Sequence, residues 1–280
     1  MWVLAGGLAV NVRLGRTHRA TNDIDTVSDD QPRLIELLAA GHAERLSAAK
    51  VQLQHPEVEI DVMESTDGVD LPAHPSDRAF ALARRWTMAT ASAVELSAVD
   101  GQRTVAKVSL RVASLPALPA LVALKTVSLP RRRSGNYPHK VGSDMQDLYR
   151  LVEGRYFDEA LEGLLGAPDE LRRWVGGELS ATFNGSNRRY SAARLRRFAD
   201  NMESRSISED DLSALGDLGD ALLGSRPYTR RRRLSLLVTA ASGGTARFGA
   251  PTTSPTSGAT KNCARSGCRY GIRGGFEERT

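Results

Sequence analysis

Cysteine and long apolar runs are scarce in this chain, and their scarcity excludes several classes of protein. The 280 residues include two cysteines, Cys263 and Cys268, which lie in a low-complexity C-terminal stretch. They provide neither a disulfide framework nor a four-ligand zinc site. No apolar run approaches the roughly 20 residues that cross a bilayer, and the N-terminus lacks the pattern of a secretory signal. We therefore expect a cytoplasmic protein without a membrane partner.

Acidic residues are scarce near the C-terminus, so the formal charge of +5 is unevenly distributed. Residues 226–280 contain 11 Lys or Arg and two acidic residues, which leaves 27 basic and 31 acidic residues in 1–225. The chain has 41% hydrophobic residues, which is sufficient for a core. We expect 226–280 to be a basic, disordered tail, because Gly, Ser, Thr and Pro recur there without periodicity.

The glycine patterns of Walker and Rossmann nucleotide sites are also absent. The first residues nevertheless indicate another way of binding a nucleotide. The short apolar run from Trp2 to Ala5 predicts a buried strand, and the pair Gly6 and Gly7 predicts a tight turn before a helix. Glycines let the main chain approach a phosphate closely, and the helix N-terminus after them offers free N–H groups.

Two carboxylates lie in the next predicted strand, where Asp23 and Asp25 flank Ile24. Residues i and i+2 of a strand point to one face, so both aspartates project together while Ile24 points to the core. Two such charges repel by roughly 4 kcal/mol at about 4 Å near a protein surface. Mg²⁺ or Mn²⁺ would relieve the repulsion, because these ions prefer oxygen ligands together with water and phosphate. The sequence therefore predicts a metal and nucleoside triphosphate site.

The glycine pair and the pattern Arg-x-Thr-x-Asp-Ile-Asp that ends at Asp25 resemble the DNA polymerase β nucleotidyltransferase superfamily. Within it they look most like the AbiE-type toxins of type IV toxin–antitoxin systems and their Men-type relatives, which transfer nucleotides. The resemblance implies an α+β fold, in which a small mixed sheet with flanking helices is followed by a C-terminal helical bundle. It also implies Mg²⁺ or Mn²⁺ as the cofactor. The nucleotide-binding residues that it implies are Gly6, Gly7, Arg19, Thr21 and Lys125.

A third carboxylate is expected on a neighbouring strand, where the superfamily places it. Apolar and polar residues alternate from Val58 to Met63, which predicts a strand with Glu59 and Asp61 on its polar face. Asp61 matches the third position best, and Glu59 is the alternative. With Asp23 and Asp25 it would form the metal site, and the third carboxylate would complete a second metal site or take the proton of the attacking hydroxyl.

A predicted apolar helix at 117–129 contains Lys125, and the helix after the following basic loop carries Asp144 and Asp147 on one face. This region also resembles the AbiE-type toxins, in which a Lys-Asp-x-x-Asp-Leu helix follows the loop, although here Ser143 takes the place of the lysine. By resemblance Lys125 contacts nucleotide phosphate and Asp147 is the acid of this second motif, with Asp144 as a further candidate. Alternatively, Asp144 caps its helix and Lys125 pairs with Asp144 or Asp147.

Two arginine-rich segments are candidates for contact with a polyanion such as RNA. The first is the predicted loop at 130–140, with the candidate RNA-binding residues Arg131, Arg132, Arg133 and Lys140. The second contains Arg188, Arg189, Arg194, Arg196 and Arg197. Such a cluster could meet an RNA backbone, but it is more often a solvated helix face.

The predicted elements divide the chain into three parts. Strands at 93–98 and 104–112, joined by the hairpin dipeptide Asp100-Gly101, would close a catalytic core at 1–114. Helices predicted at 157–165, 169–179, 192–202 and 209–223 belong to a helical domain at 115–225, which would contribute Lys125 and Asp147 to the site. The tail at 226–280 follows. Relatives usually have a helix before the first strand, so the resemblance implies a start upstream of Met1.

The leading hypothesis is a metal-dependent nucleotidyltransferase that transfers NMP from an NTP to an acceptor hydroxyl activated by Asp61 or Asp147. The resemblance implies a tRNA 3′ end as the acceptor, and a growth-inhibiting toxin that a separately encoded antitoxin neutralises. One alternative keeps this chemistry with a small molecule, such as an aminoglycoside, or a protein hydroxyl as acceptor. Another alternative is a binding protein with a degenerate site.

Overall fold

The computed structural model describes residues 1–16, 18–21, 23–54, 57–66, 68–100, 103–134, 137–198, 205–224 and 271–272. The strands in these ranges are β1 Trp2–Ala5, β2 Asp23–Ser28, β3 Ala43–Ser47, β4 Lys50–Gln54, β5 Glu57–Glu64, β6 Ser92–Asp100, β7 Arg103–Leu115 and β8 Gly271–Ile272. The helices are α1 Gly6–Leu14, α2 Gln31–Ala40, α3 Pro75–Ala89, α4 Leu118–Ser134, α5 Pro138–Val152, α6 Tyr156–Leu165, α7 Asp169–Phe183, α8 Gly185–Phe198 and α9 Ser213–Leu222.

All described strands join one mixed sheet in the order β3-β4-β5-β2-β1-β7-β6-β8. Strand β1 pairs antiparallel with β2 and parallel with β7, and β2 pairs parallel with β5. The helices after β7 lie consecutively in the chain from α4 to α9. The predicted α+β fold, a mixed sheet followed by helices, is confirmed.

Helix α1 forms where the sequence predicts it, between two glycines. Gly15 has a φ of +65°, and its N–H bonds to the carbonyl groups of Asn11 and Val12. This left-handed residue satisfies carbonyls that a helix end leaves without partners. Val10 and Val12 are buried, which fixes the helix against the sheet and leaves its N-terminus at the end of β1.

The segment at 43–54, whose sequence indicates at most one poorly patterned strand, forms the antiparallel pair β3 and β4. The weak pattern has a physical reason. Strand β3 is at the edge of the sheet, and Ala43 alone of its residues is buried. An edge strand with two wetted faces has no apolar alternation to detect. Helix α2 covers this part of the sheet, and the side chain of Asp30 accepts a bond from the N–H of Arg33 and caps its N-terminus.

The predicted basic loop at 130–140 is wrong over its first half, because α4 continues through Pro130 to Ser134. Proline inside a helix costs roughly 3 kcal/mol. Here the three arginines that follow Pro130 each form an ion pair with a carboxylate of another helix, and these contacts hold the last turn. Helix α5 begins at Pro138 instead of Ser143, since proline is accommodated in a first turn.

The predicted β6–β7 hairpin forms, and its strands reach closer to the turn than the sequence predicts, since Val99 pairs with Thr104 and Asp100 pairs with Arg103. Residues 101–102 lie outside the described ranges. Helix α8 starts at Gly185 and not at 192, while residues 199–202 are outside the described part. The tail is likewise outside it, except for β8, which pairs with β6. None of the described helices is long and apolar enough to span a membrane.

The chain divides into two compact units, Met1–Arg226 with Tyr270–Thr280, and Pro227–Arg269. The second unit lies outside the described residues. In the first unit one hydrophobic cluster includes residues of β1 and α1, such as Val3 and Val10, together with residues of the helices from α4 onward, such as Leu121 and Met145. The predicted boundary at 114/115 therefore runs through a shared core.

Candidate active site

Three aspartates converge at one end of the paired strands β2 and β5. In this parallel pair Asp25 lies opposite Asp61, and Asp23 lies opposite Glu59. One carboxylate oxygen from each of Asp23, Asp25 and Asp61 falls within 4.8 Å of the others. The structure therefore brings together the three residues that the sequence singles out as metal ligands. Glu59, the alternative third acid, pairs with Lys50.

The Gly6–Gly7 turn lies directly against this cluster. Gly6 has a φ of +63°, and a Cβ added to it would lie 1.7 Å from Oδ2 of Asp25. A Cβ on Gly7 would lie 2.3 Å from Nη2 of Arg19. Because Gly6 and Gly7 have no side chains, they leave room for the side chains of Asp25 and Arg19. The sequence alone does not reveal this requirement. The first turn of α1 begins at the same place, with free N–H groups typical of a helix N-terminus.

Two lysines partly neutralise the outer aspartates. Nζ of Lys140 lies 2.6 Å from Oδ2 of Asp23, and Nζ of Lys50 lies 3.1 Å from Oδ1 of Asp61. The hydroxyl of Thr21 donates to Oδ1 of Asp23 at 3.0 Å. Burial opposes the ionisation of Asp23, but the bonds from Lys140 and Thr21 and the charge of Arg19 lower its pKa overall.

Asp25 differs from its neighbours because, within the described part of the chain, no cation forms an ion pair with it. Burial raises the pKa of Asp25, and the charges of Asp23 and Asp61 add to this rise, while those of Lys125 and Lys140 oppose it. Three converging carboxylates, of which Asp25 has no ion-pair partner in the described part of the chain, fit a divalent cation. Their oxygen donors are those that Mg²⁺ and Mn²⁺ prefer.

A second, largely buried cluster is centred on Asp147 of α5. Its Oδ1 accepts bonds from Nε of Arg19 at 2.7 Å and is 2.7 Å from Nε2 of His18. Its Oδ2 lies 2.8 Å from Nη2 of Arg19 and 2.7 Å from Nζ of Lys125. Lys125 also donates to Asp144 at 2.8 Å. The segment between α1 and β2 is thereby joined to α4 and α5.

Charge pairing sets the protonation states in this second cluster. Burial disfavours the charged form of Asp147, but Lys125, Arg19 and His18 lower its pKa well below the ordinary range of a carboxyl. Burial also opposes the charge of Lys125, and the two aspartates raise its pKa overall. The pKa of Arg19 is raised for the same reason, by Asp147. Asp147 is therefore a stable anion without exposed surface, which is unsuited to accepting a proton from an acceptor hydroxyl.

The alternative assignment for Lys125 is realised in part. Lys125 pairs with both Asp144 and Asp147, so the predicted ion pair is present. The expectation that Asp144 caps its helix is wrong, because α5 begins at Pro138. An ammonium group has three N–H donors, and the two aspartates use two of them. The charge of Lys125 also acts on Asp25, so the two clusters are electrostatically connected.

The three candidate RNA-binding arginines of the predicted loop at 130–140 form ion pairs within the protein. Arg131 lies 2.6 Å from Asp77, Arg132 lies 2.6 Å from Asp144, and Arg133 lies 2.9 Å from Glu178. Arg131 also stacks over the ring of Phe80 at 4.8 Å. Lys140, the fourth candidate, pairs with Asp23. These partners come from distant parts of the chain, and no local sequence signal indicates them.

Sequence reasoning also missed Lys50 and His18 as residues of the site. Lys50 reaches Asp61 because β4 pairs with β5, and 43–54 has too weak a pattern for that pairing to be predicted. His18 belongs to the basic segment before Thr21, and its contact with Asp147 spans 129 positions. Neither residue has a spacing motif of its own.

Carboxylates on neighbouring strands beside a glycine turn at a helix N-terminus, on a mixed sheet, define the class of nucleotidyltransferases. The comparison with protein families gives the particular group. Residues 1–222 match the family described as nucleotidyl transferase AbiEii toxin of type IV toxin–antitoxin systems. The chain belongs to this family.

Two further comparisons add little. A solved structure of an antigenic nucleotidyltransferase-like protein from Paracoccidioides brasiliensis is 18% identical with a TM-score of 0.33, and the match covers 59% of this chain and 79% of that chain. A TM-score this low supports no conclusion about this chain. The comparison with curated proteins gives no match.

Proposed function

We propose that this toxin-family protein transfers NMP from an NTP to an RNA hydroxyl in a metal-dependent reaction, with a tRNA 3′ end as acceptor. The observation that carries the proposal is the convergence of Asp23, Asp25 and Asp61 within 4.8 Å, beside the glycine turn. A site with every carboxylate in place argues against a degenerate binding protein. We propose that the reaction takes place in the cytoplasm and that a separate antitoxin neutralises the toxin.

In the proposed reaction the acceptor oxygen attacks the α-phosphorus, a new P–O bond forms, and the bond to pyrophosphate breaks. A divalent cation held by Asp23, Asp25 and Asp61 would supply positive charge to the triphosphate and to the departing pyrophosphate. The N–H groups at the start of α1, after Gly6, face the phosphates. Asp61, which is about one third exposed, takes the proton of the acceptor hydroxyl.

The second cluster supplies the phosphate-binding cation in this proposal. Lys125 has a third N–H donor available beyond its bonds to Asp144 and Asp147, and it directs this donor to a phosphate oxygen. Arg19 adds positive charge close to Asp23. Asp147 holds both cations in place, so its role is positioning. Thr21 orients Asp23 through its hydroxyl.

The experiment incubates the purified protein with total tRNA, Mg²⁺ and each of four labelled NTPs. Label should appear on RNA with the intact protein and be lost with Asp23→Ala/Asp25→Ala. Asp70→Ala, which removes an exposed carboxylate elsewhere, is the matched control and should label RNA like the intact protein. No label on any RNA, with any NTP and either Mg²⁺ or Mn²⁺, would contradict the proposal.

A further inference from the structure

Helix α8 presents a basic face that the site described above does not use. The sequence of Gly185–Phe198 contains five arginines and no acidic residue. Tyr190, Arg194 and Arg197 are spaced i, i+4 and i+7, so they lie along one side of the helix. We call these three residues the α8 face. Tyr190 is 77% exposed, whereas tyrosine residues are commonly at least partly buried.

The arginines of the α8 face differ from those of α4 in their pairing. Arg131, Arg132 and Arg133 each contact a carboxylate. Among the described residues no carboxylate pairs with Arg194 or Arg197. Unpaired guanidinium groups keep their full capacity for phosphate, to which they donate two parallel bonds. Of the two arginine-rich segments that the sequence indicated, the one in α8 therefore carries arginines without a carboxylate partner among the described residues, and the one at the end of α4 does not.

The α8 face leads to the acidic cluster. At its C-terminal end Phe198 packs edge-on against the ring of His139 at 5.2 Å between centroids, and it contacts Gly142. The adjacent residue Lys140, in the same turn of α5, reaches Asp23 at 2.6 Å. One helical turn of α5 thus connects the end of α8 with the metal-binding aspartates.

A cavity lies at the other end of the α8 face. It has a volume of about 210 Å³, and its lining includes Tyr190 and Arg194 together with Arg133 and Thr182. A positively charged surface with an exposed aromatic ring is the arrangement on which proteins stack single-stranded bases. The distance along α8 from Tyr190 to Phe198 is about 12 Å at ~1.5 Å per residue. That length corresponds to about three stacked nucleotides at roughly 3.4 Å each.

We propose that the α8 face binds the single-stranded 3′ end of the acceptor RNA and directs it to the aspartate cluster. Tyr190 stacks on a base next to the cavity, and Arg194 and Arg197 hold phosphates nearer the site. This inference rests on the proposed transfer to RNA and adds the surface that holds the acceptor. Charge complementarity and continuity with the site favour a polynucleotide as the occupant.

The test measures binding of the full-length protein to a fluorescent RNA hairpin with a short single-stranded 3′ end, without NTP, over a range of salt concentrations. Arg194→Gln/Arg197→Gln should weaken binding and reduce the salt slope by about 1.4, because each single-strand phosphate contact contributes roughly 0.7. Tyr190→Ala should weaken binding about tenfold, while Tyr190→Phe, which keeps the ring, should bind like the intact protein.

Arg33→Gln is the control, since it removes an exposed charge from α2, which packs on β2 to β5. It should leave both affinity and slope unchanged. The proposal is overturned if the α8 variants bind like the intact protein, or if Arg33→Gln weakens binding as much. Equal losses on a blunt hairpin would also overturn it, because the surface would then recognise any polyanion.

Labelling of RNA by the intact protein separates this inference from the proposed function. If the intact protein labels no RNA, the proposed function fails. If it labels RNA and the α8 variants do so with an unchanged KM for RNA, only the α8 assignment fails. Support for both requires that the variants raise the KM for RNA and leave the KM for NTP unchanged.

Discussion

At the scale of single residues, Asp147 connects the most elements of the site. It holds Arg19 and His18, which precede β2, and Lys125 of α4, while it lies on α5 itself. Without Asp147, Arg19 and His18 would lose this carboxylate, and Lys125 would keep Asp144 as its carboxylate partner. Removing one partner of a buried ion pair commonly costs about 3–5 kcal/mol. Asp147 therefore has a structural role, because it joins α4 and α5 to the segment before β2.

Asp147→Asn should lower the free energy of unfolding by about 3–5 kcal/mol at neutral pH, since it keeps the side-chain shape, removes the carboxylate that pairs with Arg19 and leaves Lys125 with Asp144 alone. Asp77→Asn, which breaks the half-exposed pair with Arg131, should cost less than about 1 kcal/mol. Urea unfolding of both variants measures this. Equal losses for the two would contradict the central role of Asp147.

The pH dependence follows from the lowered pKa of Asp147. A carboxyl with a lower pKa in the folded state stabilises the protein above its unfolded pKa of about 3.9, and this contribution declines as pH falls below it. The difference in unfolding free energy between intact protein and Asp147→Asn should thus be constant above roughly pH 5 and shrink below roughly pH 4. A difference that grows on acidification would have the wrong sign.

Lys140 is the second residue with a testable role, because its ammonium group lies where it competes with a cation for Asp23. Lys140→Gln should tighten Mn²⁺ binding by about two- to fivefold, the range expected for a half-exposed ion pair. Lys140→Arg keeps the charge and should bind Mn²⁺ like the intact protein. Electron paramagnetic resonance of free Mn²⁺ measures the affinity without any reaction. Weaker binding by Lys140→Gln would show that the lysine supports the site instead.

At the scale of elements, the turn between β1 and α1 determines whether the aspartates can converge. The main chain of Gly6 approaches Asp25 so closely that no side chain fits between them. Strand β1 pairs with β2 with Ala5 opposite Asp25, so the turn and the carboxylate have a fixed relation. The cluster therefore depends on a backbone shape as well as on three acids.

Gly6→Ala should abolish detectable Mn²⁺ binding and lower transfer by about 100-fold, because its Cβ would displace Asp25. Gly68→Ala is the control. Gly68 also has a positive φ, +76°, but no atom lies within 4 Å of the added Cβ. The Gly68→Ala variant should introduce a similar backbone strain and retain metal binding. If both variants bind Mn²⁺ equally well, the close approach at Gly6 has no effect on the site.

At the scale of the whole molecule, strands of the sheet and the helices after β7 share one core. Val3 and Val10 belong to the same buried cluster as Leu121 and Met145. Arg13 of α1 also donates to the carbonyl group of Pro116, just before α4. The proposed division at 114/115 therefore separates segments that would expose apolar surface if they were parted.

A fragment of residues 1–114 should show no cooperative unfolding transition in circular dichroism, since its half of the core would be exposed. A fragment of residues 1–226 retains most of the first compact unit and should unfold cooperatively. A cooperative transition in the shorter fragment would mean that the catalytic strands form a separate domain.

The sequence by itself determined the strand, turn, helix and strand from Trp2 to Ser28, and the shared face of Asp23 and Asp25. These features depend on the spacing of neighbouring residues, and short-range periodicity is what a sequence displays directly. Asp61 was identified because its strand alternates clearly and the superfamily places an acid there. The edge strand β3 and the last turn of α4 could not be predicted from the sequence, because tertiary contacts outweigh their local signals.

Only the tertiary structure decided which charges meet. Lys140 and Asp23 are 117 positions apart, and Arg19 and Asp147 are 128 apart. The Arg19–Asp147 pair forms because the packing of α5 against the segment before β2 buries both charges, and a buried charge without a partner is too costly to persist, whereas the Lys140–Asp23 pair is half-exposed. The arginines of α4 likewise pair with carboxylates of other helices, while Arg194 and Arg197 of α8 pair with none among the described residues.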